Sequence, residues 1–274
     1  MTKIPAEYRE HIREKLAKVR CFLLDMDGTF YLGTQLIEGS LDFLDALERT
    51  GRTARFLTNN SSKSASVYAE KLRRMGVAES YRDVISSGHA TVHYCLRIYP
   101  GKKAYLLGTD ALRDEMSAMG LPLAERAEDA DYALLAFDTG LVYDRLCAFC
   151  DLVRSGKPYI ATHPDLNCPT ETGFIPDVGS FMALIETSTG RRPDRIIGKP
   201  HEGIVEEALL RTGLKREEMA MVGDRLYTDV ATGVNHGMAG ILVLSGEATL
   251  ADLAASEVKP DLVFERLREM IAFL

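Results

Sequence analysis

Short apolar runs bounded by polar turns alternate with stretches of helical periodicity along most of the chain, the pattern of a parallel sheet covered by helices. Residues 20–24 read as a first buried strand, and a helix is expected over 40–49 with Ser40 as its N-cap and Gly51 ending it. Residues 53–57 form a second expected strand, 62–74 a helix that stops at Gly76, 84–86 a short strand and 90–97 another helix. Pro100-Gly101 breaks the pattern, and a new alternation follows: strand 103–107, a helix to Met119, strand 132–137, helix 143–153 and strand 159–161. The polar, proline-rich stretch 162–177 is expected to be loop, ahead of a helix over 181–189. A linker at 190–193 then returns the chain to three further strands, 195–197, 219–222 and 240–244. The pattern predicts an α/β protein in which one unit, residues 1–88 and 193–274, is interrupted by a smaller α/β unit, residues 89–192. No internal repeat or low-complexity segment is visible.

A length of 274 residues suits two domains of roughly 150 residues or less. The net charge of -7 and pI near 5.5 argue against a nucleic-acid partner, because polyphosphate binding is driven by a basic surface that releases counterions. The longest apolar stretch, residues 237–244, is eight residues long, far short of the about 20 that span a bilayer, so no membrane partner is expected. Nine charged side chains in the first twenty residues do not make a secretory signal, and a cytoplasmic protein is expected. The odd number of cysteines, five, fits free thiols in a reducing compartment. Cys147 and Cys150 have CxxC spacing, but they sit in an apolar helical stretch with no partner CxxC or histidine cluster, and both are read as buried structural thiols.

Four strand ends carry the residues that could do chemistry. The first apolar strand runs into Asp25-Met26-Asp27-Gly28-Thr29, and ligands of parallel α/β sheets bind outside the carboxyl ends of strands. Two acids one residue apart repel unless a cation or a shared proton lies between them, although a solvated turn would show the same residues. The second strand runs into Thr58-Asn59-Asn60, whose hydroxyl and amides can donate to anionic oxygens or simply form a capped turn. Lys199 follows a short apolar strand, where a point cation suits a phosphoryl group and where any surface lysine could also sit. Asp224 ends a further strand, with Asp229 five residues on, and these acids could equally cap the next helix.

In order, DxDGT, TNN, GKP and GDxxxxD resemble the motif set of the haloacid dehalogenase superfamily of phosphotransferases. The 141 residues from Thr58 to Lys199 leave room for the larger α/β cap that this family inserts, and the chain is similar to its NagD-like, 4-nitrophenylphosphatase branch. FYLG after the first motif, TNNSSKS and FDTGLVYDRL add to that similarity, which covers residues 20–244 and is weakest in the cap.

The resemblance implies a Rossmann-like core with the inserted cap, and hydrolysis of small phosphomonoesters such as sugar phosphates, nucleoside monophosphates or glycerol phosphate through an aspartyl-phosphate. It assigns Asp25 as nucleophile, and Asp27 as general acid to the leaving oxygen and then general base to water. Magnesium would be held by Asp25, Asp224 and the backbone carbonyl of Asp27, while Thr58 and Lys199 would meet the phosphoryl oxygens. Asn59 would help through its amide or by shaping its loop, and Asp229 would support Lys199 or a metal-bound water. Dehalogenases of the superfamily lack the second aspartate, so Asp27 favours ester hydrolysis. The cap would supply selectivity, with His163, Asp165 and Asn167 as the candidate contacts and His163 departing from the commoner asparagine. Asp138, Thr139 and the acidic stretch 124–132 read as packing or solvated surface, and His89, His93 and His236 as structural. Caps of this kind mediate dimers in similar proteins, so the resemblance admits a homodimer. The competing readings are a binding or regulatory protein on the same scaffold and a phosphotransferase or phosphomutase, which release of inorganic phosphate would distinguish.

Overall fold

The computed structural model describes residues 6–170 and 173–274. The chain opens with α1 (Ala6–Leu16), β1 (Cys21–Leu24), the short pair β2 (Tyr31–Leu32) and β3 (Gln35–Leu36), α2 (Ser40–Arg49), β4 (Thr53–Thr58), α3 (Ala65–Arg74), β5 (Val84–Ser86) and α4 (Ser87–Ile98). It continues through β6 (Ala104–Leu107), α5 (Asp110–Ala118), β7 (Tyr132–Leu135), α6 (Tyr143–Arg154), β8 (Tyr159–Ala161), β9 (Asn167–Thr170), β10 (Gly173–Pro176), α7 (Val178–Thr189) and β11 (Arg195–Ile196). The last stretch holds α8 (Glu202–Thr212), β12 (Met219–Gly223), a single π-helical turn at Leu226–Val230, α9 (Ala231–Asn235), β13 (Ala239–Val243), α10 (Leu250–Ala255), β14 (Leu262–Phe264) and α11 (Leu267–Met270).

Two sheets organise these elements, one of six strands in the order β14-β13-β12-β1-β4-β5 and one of four in the order β11-β8-β7-β6. In the larger, β1 runs parallel to both β12 and β4, making a Rossmann-like sheet. All four residues of β1 and all five of β12 are buried, which explains why their sequences are continuous apolar runs rather than alternating ones. The chain builds outward from β1 on one side through β4 and β5, then returns to build on the other side through β12, β13 and β14. The order therefore reverses between β1 and β12, and the crevice at the carboxyl ends of two such strands is where open α/β sheets bind ligands.

The chain divides into two compact units: Met1–Leu57, Ala69–Val84 and Ala208–Leu274 form one, Thr58–Tyr68 and Ile85–Glu207 the other. The second has its own core, in which Tyr105, Leu135, Phe149, Tyr159 and Ile185 are buried and the Phe149 and Tyr159 rings meet edge to face.

Most expected elements are present within a residue or three of their expected ends, and the departures have physical reasons. Ser40 is not the N-cap of α2: Gly39 holds that position at φ 84°, and the Ser40 hydroxyl lies inside the helix, donating to the Phe30 carbonyl at 2.8 Å. A Cβ on Gly39 would lie 2.5 Å from Arg268 Cβ, so the left-handed entry is reserved for glycine. The Asn60 side chain accepts the Ser62 N–H at 2.9 Å, a local turn that delays the start of α3 to Ala65. Residues 195–196, expected to return to the first sheet, pair with β8 as the edge of the second. The polar stretch 162–177 contains the β9–β10 hairpin; three of the four residues of β9 and all four of β10 are exposed, so no buried face imposed an alternation, and Glu171 and Thr172 lie outside the described residues. Cys150 is buried as expected, but Cys147 is exposed because the buried stripe of α6 runs through Leu146, Phe149, Cys150 and Val153. The cysteines of the described residues are free thiols. Among those residues no helix is long and apolar enough to cross a membrane.

Candidate active site

Within the first unit, β1 delivers Asp25 at its carboxyl end, where the Asp25 N–H donates to the Val222 carbonyl at 2.9 Å and so continues the ladder by one residue. The chain then turns tightly: the Met26 carbonyl accepts from Phe30 and Tyr31 N–H, and Gly28 N–H donates to the Tyr31 carbonyl at 2.8 Å. Gly28 sits at φ 89°, and a Cβ there would lie 2.3 Å from Asp224 Oδ2. The DxDG spacing thus serves a close approach as well as a turn. Asp25 is half-buried and Asp27 exposed.

Asp224 follows β12 and is nearly fully buried, as is Asp229. Ligand oxygens of Asp25, Asp224 and Asp229 lie within 4.8 Å of one another. The Glu247 N–H donates to Asp224 Oδ2 at 2.7 Å, whereas Asp224 Oδ1 is buried with no hydrogen-bond partner among the described residues. An orphaned carboxylate oxygen facing two other carboxylates is costly without a cation, and a set of hard oxygen donors suits a divalent ion such as magnesium. The residues present fit the metal. Burial first, and then the charge of Asp229, push the Asp224 carboxyl up to about 6, against the pull of the Glu247 N–H. Asp229 Oδ2 accepts the Arg225 N–H at 3.1 Å, which fixes the turn after β12.

Several residues around this cluster escaped the sequence reading. Ser245 donates to the Gly28 carbonyl at 2.7 Å, and a Cβ on Gly246 would lie 2.1 Å from Asp224 Oδ2. Arg225 pairs with Glu247 at 2.8 Å, and Tyr227 donates to the same carboxylate at 3.0 Å. The loop carrying Glu247 is thereby held against Asp224. Lys71 lies 3.6 Å from the Tyr31 ring centroid, a cation–π contact. For Arg225, Tyr227, Ser245, Gly246 and Glu247 the signal in the sequence was position after the last apolar strands.

The second unit holds the other motif residues. Thr58 ends β4, largely buried, and its hydroxyl accepts the Asn60 N–H at 3.2 Å. Asn59 Nδ2 donates to Asp165 Oδ1 at 2.9 Å and to the Lys199 carbonyl at 3.0 Å, and Asn59 Oδ1 accepts the Lys199 N–H at 2.7 Å. The motifs around Asn59 and Lys199 and the loop after β8 therefore meet. His163 has no exposed surface, and its Nε2 stands 3.4 Å from Asp177 Oδ1 without forming a hydrogen bond. Burial pushes the His163 imidazole down to about 4, opposed by Asp165 and reinforced by Lys199, so it is neutral at pH 7. Ligand atoms of His163, Asp165 and Asp177 also fall within 4.8 Å, but Asp165 is engaged by Asn59, and Asp177 caps α7 by accepting the Val178 N–H at 2.7 Å. These side chains fasten the loop. Asn167 begins β9 and is exposed. Asp138 accepts from Gly140 and Arg145, in keeping with packing, and His89 and His93 pair with Glu115 and Glu207.

Residues 22–122 match the family model of haloacid dehalogenase-like hydrolases, and residues 196–270 match a second model described as HAD-hydrolase-like. An acid sugar phosphatase of Staphylococcus aureus is 37% identical over 259 residues, covering 94% of this chain and 99% of its own. The crystal structure of a 4-nitrophenylphosphatase from Thermotoga maritima superposes with a TM-score of 0.90 at 48% identity, over 94% of this chain and 98% of that one. A glycerol phosphate phosphatase from Mycobacterium tuberculosis, crystallised with calcium, gives 0.84 at 30% identity, over 93% and 76%.

Proposed function

Because this chain belongs to the haloacid dehalogenase-like hydrolases and is a phosphatase of their NagD-like type, we propose that it hydrolyses small phosphomonoesters with magnesium through an aspartyl-phosphate on Asp25. The observation that carries the metal-dependent reading is the cluster of half-buried Asp25 with buried Asp224 and Asp229 and the orphaned Asp224 oxygen, placed where the strand order reverses. Asp25 and Asp224, with the carbonyl of Asp27, would hold the ion, which when bound neutralises charge between nucleophile and phosphate. Asp229 stands with that set, beside the peptide of Arg225.

In the first step a carboxylate oxygen of Asp25 attacks phosphorus in line, the ester P–O bond breaks, and Asp27 gives its proton to the departing oxygen. In the second, Asp27 takes a proton from water as the water oxygen bonds to phosphorus, and the bond to Asp25 breaks to regenerate the carboxylate. The exposure of Asp27 suits a group that exchanges protons with substrate and water in turn. Thr58 and Lys199 are the donors for the phosphoryl oxygens, where charge accumulates in the transition state. With both amide hydrogens engaged inside the protein, Asn59 works by shaping its loop.

The relatives' names point to sugar phosphates, glycerol phosphate and 4-nitrophenyl phosphate as the first esters to try. Selectivity is assigned to residues 89–192, and the free thiols are consistent with work in a reducing, cytoplasmic compartment. Phosphate release from a panel of these esters, with magnesium or chelator, tests the reading. Asp25→Asn is expected to fold normally and to reduce turnover to background, because an amide is nearly isosteric but far less nucleophilic. Wild-type turnover in that variant, or full activity in chelator, would overturn it.

A further inference from the structure

Asn59 spends all three of its side-chain hydrogen bonds inside the protein. Two of them grip the Lys199 peptide from both sides, its N–H at 2.7 Å and its carbonyl at 3.0 Å, and the third goes to Asp165 at 2.9 Å. Asn59 and Lys199 are nearly fully buried. The Asn59 backbone is held as well, since Ser87 donates to its carbonyl at 2.5 Å. Gly198 brings a third segment into the same contact: its N–H donates to the Thr162 carbonyl at 2.7 Å, and a Cβ there would lie 2.6 Å from Asn59 Oδ1 and 2.8 Å from both Thr162 O and His163 Cβ. The loop of His163 and Asp165 is therefore joined to the peptide of Lys199 with no slack between them.

A carboxamide has two nearly isosteric orientations that exchange oxygen for NH₂, and its partners decide between them. At Lys199 the partners are one donor and one acceptor. That pair favours Oδ1 on the N–H and Nδ2 on the carbonyl, and Asp165, which when ionised can only accept, takes the second Nδ2 hydrogen and locks the same orientation. Without Asp165 a buried amide hydrogen would be left without that partner, and the hold on the Lys199 peptide would weaken.

We infer that Asp165 is a positioning residue for phosphate binding: it orients the Asn59 carboxamide that holds the backbone of Lys199. The inference rests on the assignment of Lys199 to the phosphoryl oxygens. A change at Asp165 then acts on the step common to all esters, because the phosphoryl group is what they share. A residue that only reads the leaving group would change the ranking of esters and leave that step alone.

Steady-state kinetics on three esters and inhibition by inorganic phosphate, measured for the wild type, Asp165→Ala, Asp165→Asn, Asn59→Ala and the Asn59→Ala/Asp165→Ala double variant, test this. Asp165→Ala is expected to lower kcat and to weaken phosphate inhibition by about tenfold, alike for every ester. Asp165→Asn, which still offers an oxygen, is expected to recover part of the loss. The double variant should be no worse than Asn59→Ala, because Asp165 acts through that side chain. An Asp165→Ala enzyme with unchanged kcat and phosphate inhibition overturns the inference, whatever its ester preference, and so does full additivity in the double variant. If Asp165→Ala does not fold, an Asp165→Asn enzyme with kcat and phosphate inhibition lowered alike for every ester supports it, and one with unchanged phosphate inhibition overturns it, whether or not it ranks esters differently. Lys199→Ala separates the two levels: its loss of phosphate inhibition with Asp165→Ala unaffected rejects the inference alone, and wild-type behaviour of Lys199→Ala rejects the assignment beneath it.

Discussion

Asp224 faces opposing demands: it must be buried to present an oxygen rigidly, and burial beside Asp229 resists its ionisation. An acid whose folded pKa lies above its unfolded one contributes stability that is fully present below about 3.8 and lost as pH rises through about 6. In chelator, Asp224→Asn is therefore expected to match the wild type near pH 4 and to exceed it by on the order of 1–3 kcal/mol above pH 7, since each pKa unit is worth about 1.4 kcal/mol. Urea unfolding at a series of pH values reads this, and a difference that does not vary with pH would contradict it. His163 runs with the opposite sign: its neutral burial stabilises above the ordinary value of 6.5, and that contribution is lost as pH falls toward 4. The resemblance made it a candidate contact for substrate selectivity. Its lack of exposed surface points instead to fastening its loop to the segments of Gly198 and Asp177.

At the scale of elements, β13, which pairs with the strand that leads into Asp224, is held in place by a helix packed at backbone distance. Where α9 crosses β13, a Cβ on Gly233 would lie 2.6 Å from the Gly240 Cα, and a Cβ on Gly240 would lie 2.7 Å from Val234 Cγ1 and 2.9 Å from the Val230 carbonyl. Backbone cannot yield as a flexible side chain can, so Gly240→Ala is expected to destabilise by about 1–3 kcal/mol in urea unfolding, with an unaltered fold in far-UV circular dichroism. Neutral stability would show that α9 is free to move off the strand. These glycines looked unremarkable in the sequence, as did the β2–β3 pair and β14, strands of two or three residues that are too short for periodicity to register. Helix α1 was equally silent, because it buries Ile12 and Leu16 while most of its other positions are charged or polar.

For the whole molecule, metal binding and stability are linked. An ion that binds only the folded chain stabilises it by about 2.7 kcal/mol at one hundred times its dissociation constant, enough to raise the melting temperature by several degrees. Magnesium is expected to give such a shift in thermal melting of the wild type and none in Asp224→Asn, a readout independent of turnover. Equal shifts in the two proteins would place the ion elsewhere.

Periodicity in the sequence was sufficient to read most strands of the parallel sheets but not β14 or the sheet to which β11 belongs, because strands buried on both faces are continuously apolar while short edge strands leave little pattern. The same logic exposed Asp25, Thr58, Lys199 and Asp224, each just beyond such a run. Which of these residues share a neighbourhood, and through what, was settled by tertiary structure alone. The orphaned oxygen of Asp224, the Glu247 peptide that orients it, and the Asn59 carboxamide between Asp165 and Lys199 depend on contacts between segments 23 to 140 residues apart. Local propensity fixes where a chain is helical or extended. Hydrogen-bond geometry between distant segments exists only once burial has brought them together.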